Sequence, residues 1–195
     1  MVDPLPFITY TFVMSITPGP NNVMLTASGA SFGFRRTVPH MLGICCGFVV
    51  QLLAVCAGLS ALFSRWPQLQ TALGWVGAAY LLYLGWRMLG RSDAQARAGG
   101  RPVTFVQAAM FQFLNPKAWV MTVTAATLFL PRDMGLLFSG LYMAGVTEGI
   151  GLPCMAVWAL FGSSLKSFIT GARGRRAFNV TMALALAVTA VMMVR

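Results

Sequence analysis

The sequence predicts an all-α, polytopic membrane protein with six transmembrane helices in two inverted three-helix repeats. Three observations lead there. Apolar residues fill 57% of the 195 positions and charged residues only 9%, where a soluble domain carries about 25% charge. Long uncharged stretches occupy most of the chain, and the basic residues cluster in alternate loops between them. A compact water-soluble domain could not hide that much apolar surface. A soluble globular enzyme is therefore excluded at the outset, and one transmembrane domain is expected over 1–195, with repeats at about 5–90 and 103–195.

A helix needs about 20 apolar residues to cross a bilayer. Pro4 to Phe34, Thr37 to Ser64 and Trp66 to Trp86 are uncharged stretches close to or above that length and give helices 1 to 3. No Lys or Arg precedes the first stretch, so helix 1 reads as a retained span and not as a secretory signal. Helices 4 and 5, at about 104–131 and 135–163, each continue across a single charge, Lys117 and Glu148. Helix 6 is the stretch from Ala177 to Val194.

The loops set the orientation. Arg35 and Arg36, then Arg87, Arg91, Arg97 and Arg101, then Lys166, Arg173, Arg175 and Arg176 lie on one side. Only Arg65, Arg132 and Arg195 lie on the other. The excess marks the cytoplasmic side and puts both termini outside. The net charge of +10 then reflects topology and contact with anionic headgroups. Nucleic acid is not expected, because these charges do not form one basic face interleaved with aromatics.

Two spans are interrupted. Helix 1 contains Thr17-Pro18-Gly19-Pro20-Asn21-Asn22, and helix 4 contains Asn115-Pro116-Lys117. Proline lacks an N–H and crowds the carbonyl a turn earlier, so neither helix can run regularly through these points. Sliding the chain on itself by about a hundred residues superposes Phe7 on Phe105, Pro18 on Pro116 and Gly47 on Gly145. With three helices per half, the second copy must be upside down relative to the first. Paired broken helices in inverted repeats point to a transporter site.

The polar residues inside the spans share one depth. Gln51 falls near the middle of helix 2, Lys117 of helix 4 and Glu148 of helix 5, level with the Pro18-Gly19-Pro20 break. A charge at the bilayer centre costs about 2.5–3.5 kcal/mol, so Lys117 and Glu148 are expected to pair or to share a water-lined cavity. The remaining features read as packing. Gly43-x-x-x-Gly47 and Gly145-x-x-x-Gly149 are expected to let helices approach closely. Trp75, Tyr80 and Tyr83 read as packing or belt residues. Cys45, Cys46, Cys56 and Cys154 lie within spans, where they are expected as free thiols behaving as small apolar groups. His40, at the inner end of helix 2, reads as solvated.

The motifs themselves resemble those of the lysine exporter family, which includes the threonine/homoserine efflux proteins. They are Ile16-Thr17-Pro18-Gly19-Pro20-Asn21-Asn22, the run from Gly77 to Trp86, Leu114-Asn115-Pro116-Lys117-Ala118, Leu152-Pro153-Cys154 with Trp158, and Phe178-Asn179. The resemblance covers essentially the whole chain and implies a bacterial inner-membrane exporter of amino acids or close derivatives, driven by the proton gradient. The Thr9-Tyr10-Thr11-Phe12 lead-in looks most like the cysteine/O-acetylserine branch. The chain departs from the family at Phe48 and Gly151, where many members carry polar residues.

The expected substrate-binding set is Thr17, Pro18, Gly19, Pro20, Asn21, Asn22, Gln51, Asn115, Pro116 and Lys117, with Glu148 as the proton-coupling residue. Helix ends freed at the breaks would supply N–H groups for a carboxylate and carbonyls for an ammonium. Expected partners are the solute, a proton, membrane lipids and, in a homo-oligomer, further copies of the chain; no metal or cofactor is expected. The rivals are a passive channel or lipid-handling protein and an intramembrane enzyme. An intramembrane enzyme would need a Ser/His pair, twin intramembrane acids, paired cysteines or haem histidines, and the sequence offers only His40 at an interface and its aspartates in loops.

Overall fold

The computed structural model describes residues 4–59, 65–89, 101–131, 135–168 and 171–194. Its helices are α1 (Leu5–Ile16), α2 (Pro20–Phe32), α3 (Phe34–Ala54), α4 (Pro67–Leu89), α5 (Phe105–Gln112), α6 (Pro116–Leu128), α7 (Leu136–Phe168) and α8 (Gly171–Val194). A π-helical stretch, Val55–Leu59, continues α3. The described residues contain no strand. Both expected interruptions are present: helix 1 is α1 plus α2, and helix 4 is α5 plus α6.

Among the described residues three helices, against the six spans expected, are long and apolar enough to cross a membrane: Phe34–Leu59, Leu136–Leu165 and Arg173–Val194. The two interrupted helices fall short because proline at Pro18, Pro20 and Pro116 stops the hydrogen-bond ladder. Helices α7 and α8 run past the apolar stretches at their facing ends. Charge sets how deep a residue sits and does not end a helix, since Arg and Lys are good helix formers. The loop segment 90–100, with Arg91, Asp93 and Arg97, lies outside the described residues, as do Asp3, Arg132, Asp133 and Arg195.

Helix α2 packs on α7, α3 on α5 and α7, and α4 on α8, which also touches α2. Small residues make these approaches. A Cβ on Gly29 would strike the Ala159 carbonyl, and one on Gly162 would strike that of Thr26, so α2 and α7 cross backbone to backbone. Gly43 and Gly47 likewise meet the carbonyls of Phe105 and Ala109 on α5, as expected of that pair. Gly145 and Gly149 do not behave as expected. Both are exposed, with nothing near where a Cβ would stand. Their spacing suits a packing face, but α7 turns that face away from every described helix.

His40 also corrects the sequence reading, because it is fully buried and neither ring nitrogen has a hydrogen-bond partner. Helix α3 begins at Phe34, a turn earlier than expected, so His40 falls on the stripe of Thr37, Met41 and Ile44, all buried. Gly33, with φ of 86°, makes the turn from α2 into α3 in a conformation that suits glycine. The four cysteines are free thiols.

Burial runs opposite to that of a water-soluble protein. Leu5, Trp86, Val106, Leu128, Phe138 and Met192 are exposed, while Asn22, Gln51, Gln112, Asn115 and Thr122 are buried. Such a surface suits hydrocarbon on the outside and polar contacts within.

Candidate functional site: two helix breaks joined by a lysine

Where α1 stops, its last carbonyls lose their partners one turn on, and each finds another. Thr17 donates its N–H to Val13 at 3.1 Å and its hydroxyl to Met14 at 3.3 Å. The Asn22 amide reaches back to the carbonyls of Ser15 (2.9 Å) and Thr17 (2.8 Å). The Trp158 indole, from α7, donates to Ile16 at 3.1 Å. Lys117, from the other break, closes the remainder: its Nζ donates to the Thr17 carbonyl (2.9 Å), the Thr17 hydroxyl (3.0 Å) and the Pro18 carbonyl (3.2 Å).

The second break follows the same plan. The Gln112 carbonyl accepts from Asn115 N–H at 3.2 Å and from Gln51 Nε2 at 3.1 Å. The Trp119 indole donates to the Phe113 carbonyl at 2.8 Å. Asn115 caps α6 by accepting the Lys117 N–H at 3.1 Å. The breaks are tied again by reciprocal amides. Asn21 donates to Gln112 Oε1 at 2.9 Å, and Gln112 donates to Asn21 Oδ1 at 3.3 Å.

A cavity of about 60 Å³ opens between the breaks, lined by Gly19, Pro20, Asn21, Asn22, Asn115, Lys117 and Glu148 among others. That is room for several waters. Lys117 and Glu148 are its one cation and one acid, and among the described residues no ion pair or hydrogen bond joins them. Glu148 Oε2 is buried without a partner. Of the two arrangements expected for these charges, the structure has the shared cavity. No side chain caps the N-terminus of α2, and its first residues line this space, so the positive end of the helix dipole borders it.

The structure therefore brings seven of the expected residues onto one cavity wall. Thr17, Pro18, Pro116 and Gln51 do not line it. Thr17 and Pro18 supply the carbonyls held by Lys117. Gln51 is fully buried behind the second break, where it satisfies the Gln112 carbonyl. The freed carbonyls, expected to wait for a ligand, are held by side chains of the chain itself. Sequence reasoning passed over Gln112, although an amide in an apolar segment just ahead of Asn115-Pro116 carries the same signal as Gln51. Ser15, Thr147 and the apolar wall of Phe48 and Gly151 were also not placed in the cavity beforehand. Among the described residues no group of three or more His, Cys, Asp or Glu could hold a metal ion.

The chain matches the family model described as "LysE type translocator" over residues 12–195. It is similar to the cysteine/O-acetylserine efflux protein of Klebsiella pneumoniae, 34% identical over 160 residues covering 80% of each chain. The protein of the same name from Escherichia coli K12 is 32% identical over 190 residues, 95% of this chain and 94% of the relative. That from Salmonella typhimurium is 36% identical over 132 residues, 67% of each. No solved structure matches the chain. A match over nearly the whole length, with both broken-helix motifs in it, shows that the chain belongs to the LysE type translocator family and is a membrane transporter, not an enzyme.

Proposed function

We propose that this transporter exports a small neutral amino acid or derivative, of the cysteine or O-acetylserine type, across the bacterial inner membrane, driven by the proton gradient. The observation that carries the reading is the Lys117 ammonium seated on the Thr17 and Pro18 carbonyls. It joins the two helix breaks at one cavity that holds both Lys117 and Glu148. A zwitterion fits the charges around it. Its carboxylate would take the uncapped N-terminus of α2 and draw the Lys117 ammonium, and its own ammonium would face Glu148. Met14, Ile44, Phe48 and Gly151 give the wall an apolar stretch, which suits a short neutral side chain. The relatives' names supply the substrate class.

Glu148 is the proton carrier in this reading, being the one acid among the described residues that line the cavity. A proton bound there cancels the charge that holds the substrate ammonium, so release of one favours binding of the other. In the same reading the chain crosses the membrane six times. The stacked pairs α1–α2 and α5–α6 form spans one and four of two inverted repeats, and both termini face outward. The sparse basic residues on that side and the ten on the other support this orientation.

Reconstituted vesicles test the reading. Wild-type protein should accumulate labelled O-acetylserine or cysteine under an imposed pH gradient, and a protonophore should abolish the accumulation. Glu148→Gln, which fixes the site in its neutral form, should weaken substrate binding and lose proton-driven accumulation. Downhill flux that never becomes concentrative would mark a passive channel and overturn the proposal.

A further inference from the structure

A second cavity lies away from the transport site. It holds about 500 Å³ between α2, α4, the start of α5 and α8, and no residue is shared with the first cavity. Its lining is amphipathic. Arg87 and Arg101 stand at its polar side with Ser31 and Gln107, while Met24, Met88 and Leu186 line the other. None of the described lining residues is acidic. Both arginines are exposed, and the Arg87 guanidinium lies over the Tyr83 ring, 5.8 Å from its centroid. This cation–π contact holds the guanidinium near the cavity and uses the ring face, not the N–H groups, which stay available for an anion. The N-terminus of α5 is already closed by the reciprocal Thr104–Gln107 cap, so the arginines carry the charge of the site.

We propose that this cavity binds the phosphate headgroup of an anionic phospholipid, with an acyl chain along Met24, Met88 and Leu186. Two guanidiniums with no acid among the described lining residues select a net anion, and a zwitterion would bring its ammonium against both. Guanidinium matches phosphate geometry with paired N–H groups. Basic pockets between membrane helices on the cytoplasmic side suit such headgroups. The assignment rests on the orientation proposed above, which puts Arg87 and Arg101 at the cytoplasmic leaflet.

The test is lipid retention by the purified full chain, read by mass spectrometry after detergent exchange from phosphatidylglycerol or phosphatidylcholine. Wild-type protein should retain phosphatidylglycerol and little phosphatidylcholine, less so as salt rises. Arg87→Gln with Arg101→Gln should weaken retention about tenfold or more, and Arg87→Lys with Arg101→Lys should retain an intermediate amount. Equal retention by wild type and the double Gln variant would overturn the assignment. So would displacement of the lipid by millimolar cysteine, which would make the cavity a carboxylate vestibule. Transport is not the readout, so a negative result here leaves the export reading standing, and a failure of export leaves the lipid result intact.

Discussion

Gly19 leaves the space that Lys117 fills. A Cβ there would lie 2.8 Å from Lys117 Cδ and 3.1 Å from Nζ. The obstacle is the far end of a flexible side chain, so Gly19→Ala should fold normally while pushing the ammonium off the Thr17 and Pro18 carbonyls. The expected outcome is near-wild-type melting in detergent with transport reduced at least tenfold; unchanged transport would show that the seat of Lys117 does not matter. Asn22→Ala strips the amide from the Ser15 and Thr17 carbonyls and should cost about 1–3 kcal/mol, seen as a lower melting temperature. At this scale the sequence was informative about position and poor about partners. It identified Pro18, Gly19, Lys117 and Glu148 because proline and charge are anomalous in a span wherever their neighbours sit. It could not assign Trp158 to the Ile16 carbonyl or put Gln51 behind the wall, since both depend on which helices pack together. His40 was misplaced for the same reason.

Two kinds of glycine separate at the scale of the helix. Gly29 and Gly162 set the crossing of α2 on α7 at backbone contact, so adding a methyl forces the helices apart. Gly29→Ala and Gly162→Ala should each destabilise the protein by about 1–3 kcal/mol, whereas Gly145→Ala and Gly149→Ala should melt at or above the wild-type temperature, an alanine helix interior being favoured over glycine. A reversed ranking in thermal unfolding would contradict the packing described. Spacing alone could not tell these glycines apart, because a small-xxx-small pattern says which residues share a face and not which helix that face meets. The breaks were more legible. Proline removes a donor whatever its surroundings, and the ends of α1 and α5 stand where Pro18 and Pro116 require.

For the whole molecule, many large apolar side chains are exposed among the described residues while several uncharged polar ones are buried, so the bilayer is the solvent this surface fits. The proposed orientation predicts that a reporter enzyme active only outside the cytoplasm will be active when fused at the C-terminus; activity confined to a cytoplasmic reporter would reverse the topology. Composition conveyed the all-helical, apolar character well, since it answers to the membrane and not to any one contact. The central claim is that the halves of the chain meet at one substrate site, with Lys117 of one break seated on Thr17 and Pro18 of the other. Substrate binding to the purified full chain, measured by titration calorimetry for wild type and Lys117→Ala, tests it most directly. The account predicts at least a tenfold loss of affinity in a variant that still inserts and folds, and wild-type affinity in Lys117→Ala would contradict it.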